Sequence, residues 1–157
     1  MQTLKLLIYT ALACFLWYAV AYGEPIVVPP ILPNIVMTPG DTMPGVTREK
    51  ICLSGYTGSV RNVSQKNKNS VFSMYFLDPT KDKFEVDHLV SLELGGSNSI
   101  QNLWPQSYTT QPLNAYRKDR LENKLHALVC SGHLDLATAQ KAIATDWIAA
   151  YKKYVGN

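Results

Sequence analysis

Past residue 23 the chain has two cysteines, Cys52 and Cys130, and what precedes them decides how they can behave. The first residues, MQTLKLLIYTALACFLWYAVAYG, carry one early positive charge at Lys5, an apolar run from Leu6 to Tyr22, and small residues at Ala19, Ala21 and Gly23. That is the layout of a secretory signal peptide over residues 1–23, cut after Ala21 or Gly23. A retained anchor helix is the alternative, because the run is near the length that spans a bilayer. Cys14 lies inside the run, which continues past it through FLWYAV, and is a bystander. Export to a secreted or periplasmic location places the two remaining cysteines in an oxidising compartment, where a single disulfide is the natural outcome. Two buried free thiols are the alternative. Such a bridge closes a loop of about 80 residues, which in the chain-entropy model stabilises the fold on the order of 4 kcal/mol. No CxxC pair occurs, so a cysteine zinc knuckle is excluded.

The whole chain is 157 residues, 46% of them hydrophobic, enough for one compact core and hardly for two. Its net charge is +3, and because Lys5 is the only charged residue before Glu24, the remainder carries 14 of the 15 basic residues against all 12 acidic ones. No global field announces a polyanionic partner. Any affinity for nucleic acid has to come from a local site. Residues 24–46 hold six prolines and two glycines among scattered aliphatics, which predicts an extended tether or a strand-like arm lying on the domain. The domain itself runs over 47–157.

Within it, Ile51, Leu53, Tyr56 and Val60 around Gly55 and Gly58 suggest a short strand, a turn and another strand. The polar stretch NVSQKNKNS at 62–70 reads as an exposed loop. KFEVDHLV reads as a strand, GGSNS as a turn, and NLWP as a second short strand ended by its proline. Two helices follow. The first starts near Asn114, with Leu121, Leu125, Leu128 and Val129 on one face and Gly132 as the stop signal. In the second, Leu136, Ala139, Ile143, Trp147, Tyr151 and Tyr154 follow steps of three and four after an Asp135 N-cap. A hairpin with Asp-His at one end, followed by a helix with polar groups, is a ββα unit of the kind that grips one metal ion.

At VDHLVSLELGGSNSIQNLWPQ, followed by LNAYRKDRLENKLHALVCSG and AQKAIATDW, the sequence resembles the HNH endonucleases of the His-Me finger family, and especially small exported bacterial proteins of that group. The resemblance is close over residues 85–130, looser over 51–61 and 131–155, and does not reach the proline-rich arm. It implies an α+β fold with a ββα-metal core, short β elements before it and a C-terminal helix. It also implies metal-dependent hydrolysis of DNA phosphodiester bonds, with RNA as a further substrate. On this pattern His88 is the general base, which suits an imidazole that titrates near neutral pH. Asp87 is a metal ligand. Asn102 is the middle asparagine, whose amide ties the hairpin loop to the strand. Arg61 clamps the scissile phosphate from a neighbouring strand, although apart from the resemblance it reads as a surface arginine. Mg²⁺ suits these oxygen donors, with Mn²⁺ as the other candidate. If the leader is cleaved, no stable membrane association is expected.

The helix ligand departs from the family pattern, since no His-x-x-x-His or Asn follows the hairpin immediately. With about 100° per residue and Asn114 set at zero, the buried face centres close to Asn114 itself, while Glu122 lies near 80°, His126 near 120°, Asp119 near 140° and Asn123 near 180°. Asn114 is then the first candidate ligand and Glu122 a water-mediated one. An inward Asn at a helix start is also a plain cap. Lys118 and Arg117 are candidate phosphate contacts, although exposed basic residues on a helix are more often solvated. His126 and His133 are read as non-catalytic. Read bare, Asp87-His88 is a strand pair whose side chains point to opposite faces, so both can serve one phosphate only if the strand ends or bulges there. Two other readings are kept: an exported nucleic-acid or cell-envelope binding module without turnover, and a disulfide-stapled domain that docks a partner through its arm.

Overall fold

The computed structural model describes residues 32–80 and 83–156. The expected leader, 1–23, and the first part of the expected arm, 24–31, lie outside the described residues. Thr47 opens the first helix: its hydroxyl accepts a hydrogen bond from the Lys50 amide at 3.4 Å, capping α1 (Arg48–Ile51). Gly55, in the left-handed region at φ 79°, starts α2 (Tyr56–Val60). This segment is therefore helical where the sequence suggested two strands. Ile51 is its one buried aliphatic, and Leu53 is 65% exposed, so there is no inward row of side chains for a strand to present. The segment at 62–70, expected as a loop, lies largely in α3 (Gln65–Met74). Ser64 caps it by accepting from the Asn67 amide at 3.1 Å, and Val71, beyond the polar run, is buried against the domain.

The hairpin forms as expected in outline. Strand β1 (Phe84–His88) pairs antiparallel with β2 (Leu103–Ser107), with Asp87 opposite Trp104 and His88 opposite Leu103. Proline does not end β2; Pro105 sits inside it, opposite Val86, which a two-stranded ribbon tolerates because each strand keeps an unpaired edge. The connection is longer than a tight turn and contains 3₁₀ turns at Leu92–Leu94 and Ile100–Asn102. Both glycines of the Gly-Gly pair are required by space. A Cβ on Gly96 would lie 1.7 Å from the Val90 carbonyl oxygen, and one on Gly95, at φ 76°, would lie 2.6 Å from a Val46 methyl. That second contact comes from the arm, whose described part lies along this loop. Thr42 bridges Gly96, the Met43 amide donates to Gly95 O at 2.9 Å, and buried Thr38 donates to Leu103 O at 2.9 Å.

Helix α4 (Ala115–Cys130) buries Leu121, Leu125 and Val129. Helix α5 (Leu136–Tyr154), capped by Asp135 on the Thr138 amide at 2.9 Å, buries Ala139, Ile143, Trp147 and Tyr151 against it. At Asp146 (φ −160°, ψ 94°) α5 kinks, and the Asp146 carboxylate restarts the helix by accepting from the Ile148 and Ala149 amides at 3.0 and 2.9 Å. A disulfide joins Cys52, just after α1, to Cys130, the last residue of α4, 78 positions on. The fold is thus mixed α and β: a two-stranded antiparallel sheet, five helices among the described residues, and one disulfide. No described helix is long and apolar enough to cross a membrane.

Candidate functional site

Strand β1 ends at His88 and the chain turns away at once. Up to that point alternation holds: the Asp87 carboxylate reaches α4, and the His88 ring reaches back over the hairpin loop. Because the strand stops there, both open into one small cleft of about 70 Å³, walled by Thr57, Arg61, Asp87, His88, Ser91, Leu92, Glu93 and Glu122. Four residues singled out from the sequence, Arg61, Asp87, His88 and Glu122, therefore share a cavity.

The imidazole is buried and oriented. His88 Nε2 lies 3.2 Å from Asn98 Oδ1, and the Asn98 amide nitrogen donates to Val60 O at 2.8 Å. That second bond fixes which end of the amide faces the ring. The oxygen is an acceptor, so Nε2 carries the proton and Nδ1 holds the free lone pair. Burial depresses the His88 pKa below 6.5, against the opposing pull of Asn98 and Asp87, and nearby Arg61 and Lys118 add to the depression. The ring is neutral at pH 7, the form a base requires.

Asn102 is fully buried and fully used. Its Oδ1 accepts from the Val90 amide at 2.9 Å, and its Nδ2 donates to Val90 O and Ser97 O, each at 2.9 Å. It ties the loop across the end of the strand, and every bond it makes is to backbone. Arg61, just past α2, is exposed at the rim of the cleft and makes no side-chain hydrogen bond or ion pair among the described residues. Ser91 Oγ and Glu93 Oε2, both buried atoms without a hydrogen-bonding partner, belong to residues of the same wall.

The residues expected to hold a divalent ion are arranged otherwise. Asn114 caps α4, accepting from the Arg117 amide at 3.3 Å. Between Asp87 and Glu122 stands the ammonium of Lys118, 0% exposed. It donates to Asp87 Oδ2 at 2.6 Å, to His88 O at 2.7 Å and, in a still shorter contact, to Glu122 Oε1. An ammonium has three protons, and these are its three acceptors. Burial alone would lower the Lys118 pKa, but Asp87 and Glu122 reverse this and hold it well above its usual value. Burial raises the Glu122 carboxyl, against the pull of Lys118. Glu85 and Asp119 extend the acidic wall, both raised chiefly by burial; Glu85 also accepts from the Tyr108 hydroxyl at 2.5 Å.

Among the described residues, one group of three His, Cys, Asp or Glu donors lies within 4.8 Å of one another: Cys52, His126 and Cys130. That group has the spacing to hold a metal. With the sulfurs joined as a disulfide it lacks thiolates, and His126 Nε2 rests 3.1 Å from Ile51 O and 3.3 Å from Cys130 Sγ. Of the set Asp87, Asn114 and Glu122, the two carboxylates converge on the Lys118 ammonium and Asn114 is used as the cap of α4. As arranged, these residues do not fit a divalent cation.

Of the two candidate phosphate contacts, Lys118 is buried as described, and Arg117 donates to the Tyr151 hydroxyl at 3.1 Å, tying α4 to α5. Asn123 is exposed and donates to Asp119 O, its own helix. Asn98, Ser91, Glu93 and the inward position of Lys118 were missed from the sequence. Lys118 had a signal: on the same wheel it falls near 40°, inside the arc of Leu125 and Val129. Compared with protein-family models, with curated proteins and with solved structures, the chain matches none.

Proposed function

We propose that β1, β2 and α4 form the ββα unit of an HNH-type nuclease, and that the protein, exported from the cell, hydrolyses phosphodiester bonds in DNA. One observation carries this reading. The cleft presents a neutral imidazole whose far nitrogen is pinned by Asn98, with an uncommitted guanidinium, Arg61, at its mouth. An oriented base beside a free cation is what hydrolysis of a phosphodiester needs. A histidine kept for packing alone would not need its tautomer fixed by a second, separately anchored side chain.

In this mechanism Arg61 pairs with a non-bridging phosphate oxygen and fixes the phosphorus over the cleft. A water molecule near Ser91 and Glu93 gives one proton in a hydrogen bond to one of their unpaired oxygens and points the other at His88. Nδ1 takes one proton as the oxygen attacks phosphorus. The bond to the 3′ oxygen breaks opposite the incoming water, and that oxygen is protonated from solvent, leaving a 5′ phosphate. Asn102 acts at a distance by holding the loop that carries Asn98. The disulfide and the leader-like first residues support export to a secreted or periplasmic location.

Incubating the purified protein with supercoiled plasmid, and separately with a structured RNA, tests this. Conversion of plasmid to nicked circles bearing 5′ phosphates is expected. Binding of DNA without cleavage would favour the alternative of an exported binding module.

A further inference from the structure

We infer that Lys118 fills the place of the divalent ion, so that the cleft is built around an internal ammonium and takes no metal; this rests on reading the ββα unit as a phosphodiesterase site. Lys118 and Glu122 stand one turn apart on the face of α4 that meets β1, where helix residues would complete a cation site with Asp87. The ammonium gives Asp87, Glu122 and the His88 carbonyl the positive partner that a metal would give them. Its three protons are all committed, so a divalent ion entering between the carboxylates would have to expel a fully buried charge that has nowhere solvated to go. Asn114, the oxygen donor expected at the start of that helix, is spent on the cap. The lysine itself does not touch substrate. It is a positioning residue, fixing the end of β1 and with it His88, and it offsets carboxylate charge that would otherwise repel a phosphate. Arg61 is left as the cation that meets the phosphate.

The test is Mn²⁺ titration of the wild-type protein by calorimetry, with plasmid nicking followed in EDTA and in Mg²⁺ on the same preparation. We expect no saturable binding tighter than about 1 mM, and nicking in EDTA within about twofold of that in Mg²⁺. Lys118→Met, where it folds, frees both carboxylates and should bind Mn²⁺ at least about tenfold more tightly than the wild type. Wild-type binding in the micromolar range that disappears in Asp87→Asn would overturn the inference, as would nicking abolished by EDTA and restored by Mg²⁺. A protein that cleaves nothing would sink the phosphodiesterase reading alone, because the titration still decides whether this site accepts a metal.

Discussion

Removing the Lys118 ammonium should be among the most damaging single changes to the fold, and its pH dependence should identify the cause. Lys118→Met keeps the length of the stem and deletes the charge. It leaves Asp87 and Glu122, with side chains 17% and 13% exposed, without their common partner, and leaves the His88 carbonyl short of one donor. Stripping one partner from a buried ion pair costs about 3–5 kcal/mol. Because both carboxylates still border the cleft, the lower end applies, about 3 kcal/mol. For a domain of this size that lowers Tm by about 10–15 °C. The loss should grow with pH. Burial already raises the Glu122 carboxyl to about 8 in the wild type, against the pull of Lys118, and losing the ammonium raises it further. Both proteins lose that carboxyl's low-pH stabilisation alike as pH rises from about 4.5 to 8, and the mutant alone goes on losing it above that. Urea titrations at pH 7 and pH 9 should therefore show the mutant deficit larger at the higher pH. A deficit below about 1 kcal/mol at both values would refute the claim that this ammonium is enclosed and fully paired.

Three further outcomes follow from the same geometry. Because burial holds His88 below 6.5, the acid limb of the rate profile should lie below pH 6.5; Asn98→Asp should move it upward and Asn98→Leu downward, and a profile unmoved by either would remove Asn98 as the orienting group. Asn102→Ala strands the Val90 amide and the Val90 and Ser97 carbonyls, so the urea midpoint should fall by the equivalent of about 3 kcal/mol, whereas a change under about 0.5 kcal/mol would mean that the loop is held by other contacts. Reducing the disulfide should destabilise the domain on the order of 4 kcal/mol, and the unreduced chain should weigh two hydrogens less than the reduced one; equal masses would show free thiols.

The elements legible in the sequence were those with a complete local code. Leu121, Leu125 and Val129, followed by Gly132, gave α4 its phase and its stop, and Asp135 gave α5 its start. The Gly-Gly pair announced a turn, although not that Val90 and Val46 would crowd both glycines. The segment from Ile51 to Val60 misled because aliphatics spaced around glycines resemble strands, while the deciding features were the Thr47 cap and Gly55 in the left-handed region. In α3 polarity masked the Ser64 cap. The His88 and Asp87 positions stood out as a pair, and their shared cleft depends on β1 ending there. Asn98 was hidden because Asn in a turn sequence reads as turn chemistry; its partner, Val60 O, is 38 residues away. Lys118 was hidden by habit of charge. A lysine is read as solvent-facing unless its helical phase is given equal weight, and here the phase was right.

In the proposed mechanism His88 Nδ1 removes the proton from the attacking water. The most direct test of this step is the single-turnover nicking rate of His88→Ala beside the wild type, with DNA affinity and melting temperature measured on the same samples. A general base contributes about 10² to 10⁴ in rate, so the variant should be slower by at least about a hundredfold while binding DNA as before. A His88→Ala protein that nicks plasmid within a few-fold of the wild-type rate would contradict the account and leave the imidazole as a packed end to β1.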